Sequence, residues 1–207
     1  MTSPVCLTGD LHHQALGTGN QRHCPDSELA IAARYLALVR EAGVKVTFYV
    51  SGLAFRDQWD ELRAIADEPL VELGGHTWSC FTPALPHRVW KKLGGAYNGP
   101  RWWVRRDAER TIEIAWRRTG RRVVAWRNHM YMHGPGVADA LAQAGITSCS
   151  DEVAPGGVPR RDGPLVTVPI NVIPDHEHIY HAERTPEWVE QWRRRYRWRD
   201  GAVVAAN

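Results

Sequence analysis

Strand-like and helix-like segments alternate along this chain, and its chemically capable side chains stand where the strands end. The apolar run Val5-Cys6-Leu7 leads into Asp10, His12 and His13. Apolar residues at helical spacing follow, from Leu29 through Ala32, Ala33 and Leu36 to Val39, with Gly43 as the stop. Residues 44–50, rich in β-branched and aromatic side chains, predict a second strand. A helix over 54–66 leads to a short strand over 70–73 and then to His76. The segment 81–106, interrupted by Pro83, Pro86, Pro100 and three glycines, reads as an irregular loop or lid. Beyond it come a helix over 107–118, a strand over 123–126 ending in Arg127 and His129, and a helix over 137–144. Strands over 146–149 and 165–170 then deliver Asp151 and, after a gap, His176 and His178. A helix over 187–197 and a strand over 202–204 close the pattern.

This alternation implies parallel strands joined by crossover helices, an α/β fold organised as an open sheet or a barrel. Functional residues in such folds gather at the carboxyl ends of the strands. No repeat, low-complexity tract or linker divides residues 1–207, which read as a single domain. No apolar run reaches the roughly 20 residues a membrane span needs, and the N-terminus lacks a signal-peptide pattern. Cys6, Cys24, Cys80 and Cys149 form no C-x-x-C pair, as expected of a reduced, cytoplasmic protein. No membrane partner is expected. The basic run from Arg193 to Arg199 suits the solvated face of a helix, since a net charge of +3 is too small to suggest a nucleic-acid partner.

Side chains alternate across a strand, so Asp10 and His12 point the same way. Carboxylate and imidazole together suit a zinc-like divalent site. Such a site pairs well with a carboxylate base, an arginine that holds the base, and a histidine that protonates a leaving group. The strand ends supply all of these residue types, and the spacing leaves their roles open.

The ordered motifs resemble the polysaccharide deacetylases, the NodB-homology group of carbohydrate esterases. Leu7-Thr8-Gly9-Asp10 resembles that family's Thr-Phe-Asp-Asp motif, and Val46-Thr47-Phe48-Tyr49-Val50 its Ala-Thr-Phe-Phe-Val strand. Gly75-His76-Thr77-Trp78-Ser79-Cys80 is similar to its His-Ser/Thr-x-x-His motif, and Trp126-Arg127 to its arginine motif. The resemblance implies a distorted (β/α) barrel. It also implies a hydrolase acting on a small carbohydrate or related amide, removing an acyl, most simply acetyl, group. By the same resemblance Asp10 is the catalytic base and Arg127 its orienting partner.

Two departures follow from the same comparison. The family's second aspartate, a metal ligand, falls on Leu11, so His12 is read as its replacement. The second histidine of the next motif falls on Cys80, either a thiolate ligand or a small buried hydrophobe. Asp10, His12 and His76 are therefore the expected ligands of a divalent ion, with zinc first and cobalt, nickel or iron as alternatives. The family's final histidine, a general acid, has no counterpart where the chain stops at Asn207. Either the C-terminal strand is truncated or the acid comes from elsewhere; His176 and His178 are available, and His178 is assigned the role. Trp78, Trp102, Trp103 and His129 are read as substrate-contacting residues. The rival reading is a non-catalytic carbohydrate-binding relative.

Overall fold

Five residues, Leu7–Leu11, form β1. Ser27 then opens α1 (Glu28–Ala42), its hydroxyl accepting the N–H of Ala30. Leu29, Ala32, Leu36 and Val39 form the buried stripe of α1, and Gly43, at φ 63°, ends it in the left-handed conformation. The computed structural model describes residues 6–13, 16, 18, 21 and 25–172. The helix and strand expected near the C-terminus, and His176 and His178, lie outside those residues.

β2 is Val46–Val50. The helix expected over 54–66 is two helices, α2 (Gly52–Asp57) and α3 (Trp59–Ala66). They part at Gln58, whose φ of −122° and ψ of 29° leave the helical region. β3 is Val71–Gly75.

The segment expected to be irregular contains α4 (Ala84–Gly94) and the start of α5 (Arg101–Thr119). Its prolines begin helices instead of breaking them. Pro83 and Pro100 occupy the caps, and Pro86 lies in the first turn of α4, where a backbone N–H has no helical acceptor to lose.

β4 (Ala125–Trp126), α6 (Val137–Gln143) and β5 (Ser148–Cys149) follow. β6 (Arg160–Asp162) and β7 (Leu165–Thr167) form an antiparallel hairpin where a single strand was expected. β6 is Arg-Arg-Asp, with no apolar alternation to betray it.

Among the described residues seven strands run in the order β1-β2-β3-β4-β5-β7-β6, and all neighbouring pairs except β6–β7 are parallel. Leu29, Phe55, Leu62, Ile65, Trp126 and Leu141 belong to one continuous core between sheet and helices. Gly75 lets Trp126 cross β3, since a Cβ there would fall 2.2 Å from the indole ring.

Curvature sets up the site. Strands pair about 4.8 Å apart, so β1 and β4, three steps apart, would stand about 14 Å from each other in a flat sheet. Yet Asp10 on β1 meets Arg127, just past β4, at 2.9 Å. The sheet curls so that inward side chains from its first four strands converge, as in a barrel.

Candidate active site

Asp10 and Thr8 lie on one face of β1, and both touch Arg127. The guanidinium donates to Asp10 Oδ1 at 2.9 Å, to Thr8 Oγ1 at 3.0 Å, and to the carbonyl and hydroxyl oxygens of Ser150, each at 2.9 Å. It also lies over the Tyr49 ring, 4.3 Å from the centroid. Arg127 is almost fully buried, so these contacts leave it little freedom to turn. Burial pushes the Tyr49 hydroxyl up to about 12, against the opposing pull of Arg127.

Beside this pair three imidazoles meet. His12 comes from the end of β1, His76 follows β3, and His129 begins the short 3-10 turn after β4. His12 Nε2 lies 3.1 Å from His76 Nε2 and 3.1 Å from His129 Nδ1, and the last two atoms are 3.3 Å apart. Zinc–imidazole bonds of about 2.0–2.1 Å in a tetrahedron put neighbouring ligand atoms about 3.3–3.4 Å apart. The triangle therefore matches the spacing of ligands around one ion.

The protonation of these rings fits the same purpose. Burial, with the charges of His12 and Arg127, holds His76 well below the ordinary imidazole range. Burial, then His76 and His12, pushes His129 down to about 2. Both rings are neutral, the form that binds metal. His12 Nδ1 lies 2.8 Å from Glu28 Oε2, and that oxygen also accepts the His12 backbone N–H at 2.6 Å. Gln21 Nε2 donates to the other Glu28 oxygen at 2.7 Å. A carboxylate on Nδ1 fixes the tautomer and leaves the Nε2 lone pair facing the triangle.

These positions correct several expectations. Asp10 is not among the convergent donors; the described group is His12, His76, Cys80 and His129. Its carboxylate is turned onto Arg127. His129, expected to contact substrate, has its Nδ1 in the imidazole triangle. Cys80 lies near, but burial raises its thiol well above the ordinary range and keeps it protonated.

Trp78 does not offer an open stacking face. It rests on Gly52, where a Cβ would fall 2.3 Å from the ring, and Arg110 lies 4.0 Å from its centroid. Trp103 is engaged with Trp90, at 4.8 Å between centroids, and Trp102 projects outward, 60% exposed. His178 lies outside the described residues.

Glu28 escaped the sequence reading. An acid in the first turn of a helix is common for reasons of the helix dipole alone, so its identity carried no special signal. The echo of Asp10-Leu11-His12 in Arg127-Asn128-His129 was a usable one: both strand ends present a charged residue and a histidine on one side.

The polysaccharide deacetylase family profile matches residues 25–148. The chain belongs to the polysaccharide deacetylase family. Comparison with curated proteins returned no match. Among solved structures, a Mycobacterium smegmatis protein described as a polysaccharide deacetylase aligns at 20% identity and TM-score 0.54, over 82% of this chain and 61% of that one. The deacetylase domain of BpsB from Bordetella bronchiseptica aligns at 15% identity and TM-score 0.54, over 79% of this chain and 69% of that domain. A mutant CE4-family pseudoenzyme with restored enzymatic activity aligns at 15% identity and TM-score 0.52, over 91% and 63%. These likenesses support the distorted α/β barrel type of fold. This polysaccharide deacetylase relative thus spans 61% of the mycobacterial protein's length.

Proposed function

We propose that the protein is a metal-dependent hydrolase that removes an acyl group, most simply acetyl, from a sugar or a related amide. The observation that carries this reading is the triangle of three imidazole nitrogens beside an aspartate clamped by a buried arginine. His12, His76 and His129 would hold the ion, and an all-imidazole set suits zinc, cobalt, nickel or iron. Such an ion, when bound, would act as a Lewis acid toward the acyl carbonyl and acidify a water molecule.

The chain's own residues supply the rest. Asp10 accepts the proton of the attacking water. Arg127 fixes the direction of that carboxylate through Oδ1, leaving its second oxygen for the water. Glu28 keeps the His12 proton on Nδ1, away from the ion. Burial disfavours the Cys80 thiolate, and three histidines would leave a place for substrate, as catalytic zinc sites require. Protonation of the leaving group falls to an imidazole: His178, or His133, whose Nδ1 lies 2.8 Å from Asp151.

The test combines metal analysis with acetate release from an acetylated amino sugar. Wild type is expected to hold one ion per chain and release acetate. Asp10→Asn is expected to keep the ion and lose about 10²–10⁴-fold in rate, the range of a removed general base. A protein that takes up none of the four metals and releases no acetate overturns the reading. Metal uptake and sugar binding without release from several acetylated sugars would identify the non-catalytic relative instead.

A further inference from the structure

We propose that α4 docks on an anionic lipid surface, lying flat in the headgroup layer. This surface lies outside the candidate active site, and the proposal does not depend on the reaction.

The burial of α4 is inverted. Its one buried residue is a histidine, His87, whereas Leu85 is 71%, Val89 44% and Leu93 80% exposed. These three stand at i, i+4 and i+8, so they form one continuous stripe on the outer face. Trp102, 60% exposed, lies in the first turn of α5, which meets α4 where Trp103 and Trp90 stand 4.8 Å apart. Single exposed leucines are ordinary, but an aligned stripe of three exposed apolar residues marks an interaction face.

Charge identifies the partner. Residues 81–106 contain Arg88, Lys91, Lys92, Arg101, Arg105 and Arg106 and no Asp or Glu, although the whole chain carries only +3. Arg88 and Lys92 flank the leucine stripe directly on the helical wheel. Arg101 and Arg105 pair with Asp139 and Glu109; Arg88, Lys91 and Lys92 belong to a helix without an acid. Leucine and valine along one line with lysine and arginine beside them is the pattern of an interfacial helix, which buries its apolar face at the acyl boundary and its cations among lipid phosphates. A soluble polyanion would use the cations and leave the leucines in water.

The inner side of α4 packs through His87 and Trp90, which leaves its outer side to solvent. His87 Nδ1 donates to the Tyr97 carbonyl at 2.9 Å, and its ring lies 4.8 Å from Phe81, which lies 5.7 Å from His129. A docked α4 would therefore bring the strand ends that carry the candidate active site to the lipid surface. No described helix is long and apolar enough to cross a membrane, and surface attachment requires none.

Co-sedimentation of the full chain with phosphatidylcholine vesicles, with and without phosphatidylglycerol, tests the proposal. Binding is expected only to the anionic vesicles and should fall as salt rises. Lys91→Glu with Lys92→Glu should weaken it by about thirtyfold or more. Leu85→Ser with Leu93→Ser should weaken it more than tenfold; both positions are exposed, and circular dichroism checks that the variants fold. Three results would each overturn the proposal. One is no binding to anionic vesicles. Another is binding that heparin displaces and the leucine substitutions leave unchanged. The third is a dimer of the free protein that Leu93→Glu dissociates, which would give the face to a second copy of the chain.

Discussion

Two clusters of metal-ligand residue types lie at the strand ends, and they differ in what their lone pairs already do. The first is His12, His76 and His129 with Cys80; the second is His133, Cys149 and Asp151. The second borders a cavity of about 170 Å³, also lined by Glu152, Arg160 and Thr167. There, the side chains of the cluster meet on one carboxylate. Asp151 Oδ2 takes His133 Nδ1 at 2.8 Å, Asn128 Nδ2 at 2.6 Å and the Cys149 thiol at 3.1 Å, while Oδ1 accepts the Asn128 N–H at 2.6 Å. Burial and Asp151 together hold the Cys149 thiol well above its ordinary range. The oxygens of Asp151 are thus filled by four donors. In the first cluster His12 Nδ1 is bound to Glu28, burial keeps His76 and His129 neutral, and three ring nitrogens converge. Residue type alone does not make a ligand site; an unspent lone pair does.

Substitution of His76 should break that contrast most severely. His76→Ala is expected to abolish tight metal uptake and reduce acetate release at least 10³-fold, read by metal analysis and turnover. Retention of a stoichiometric ion would place the metal elsewhere and sink the distinction. Glu28→Gln is a gentler probe. Loss of an outer carboxylate on a ligating histidine typically costs about 10–100-fold in metal affinity, which competition with a chelator would measure. At the second cluster, His133→Gln should leave the metal content unchanged. If His133 is the proton donor, the same variant lowers kcat and removes the alkaline limb of its pH profile; if His178 is, that profile stays intact.

Asp107 sharpens the comparison through stability. Its half-buried carboxylate accepts the Trp78 N–H at 2.9 Å, and desolvation pushes its pKa up from 3.8 to about 7. The folded state holds that proton more tightly than the unfolded one, so this group's contribution is most favourable at low pH. It declines as pH rises from about 4 to about 7 and is constant above. Asp107→Asn should remove the decline, so the Tm of the variant relative to wild type rises across that window. A Tm difference that is flat with pH would contradict the half-buried, weakly solvated carboxylate.

Much of the fold is legible in the sequence because its signals are local. The stripe of α1, the β-branched run of β2 and the glycine after α1 can be read within a few residues of themselves. β6 is not legible, since Arg160, Arg161 and Asp162 show no apolar period and are strand only because β7 pairs with them. α4 is misread for another reason: its prolines and glycines are breakers inside a helix but caps at its ends, and only the folded chain shows which. The surroundings of Trp78 were not legible either, because Arg110, thirty-two positions later, lies over its ring.

The sequence by itself determined which chemistries stand at the strand ends: Asp10 and His12, His76, Arg127 and His129. Period-two alternation and family motifs, both local, suffice for that. Only the tertiary structure decided which of them meet. The curl of the sheet brings β1 against the end of β4 across two intervening strands, gives Asp10 to Arg127, and leaves His129 as the third imidazole in the triangle. It also turned the leucines of α4 outward and its histidine inward. A hydrophobic pattern states which face of a helix is apolar, and the packing around that helix decides whether water, protein or a lipid surface covers it.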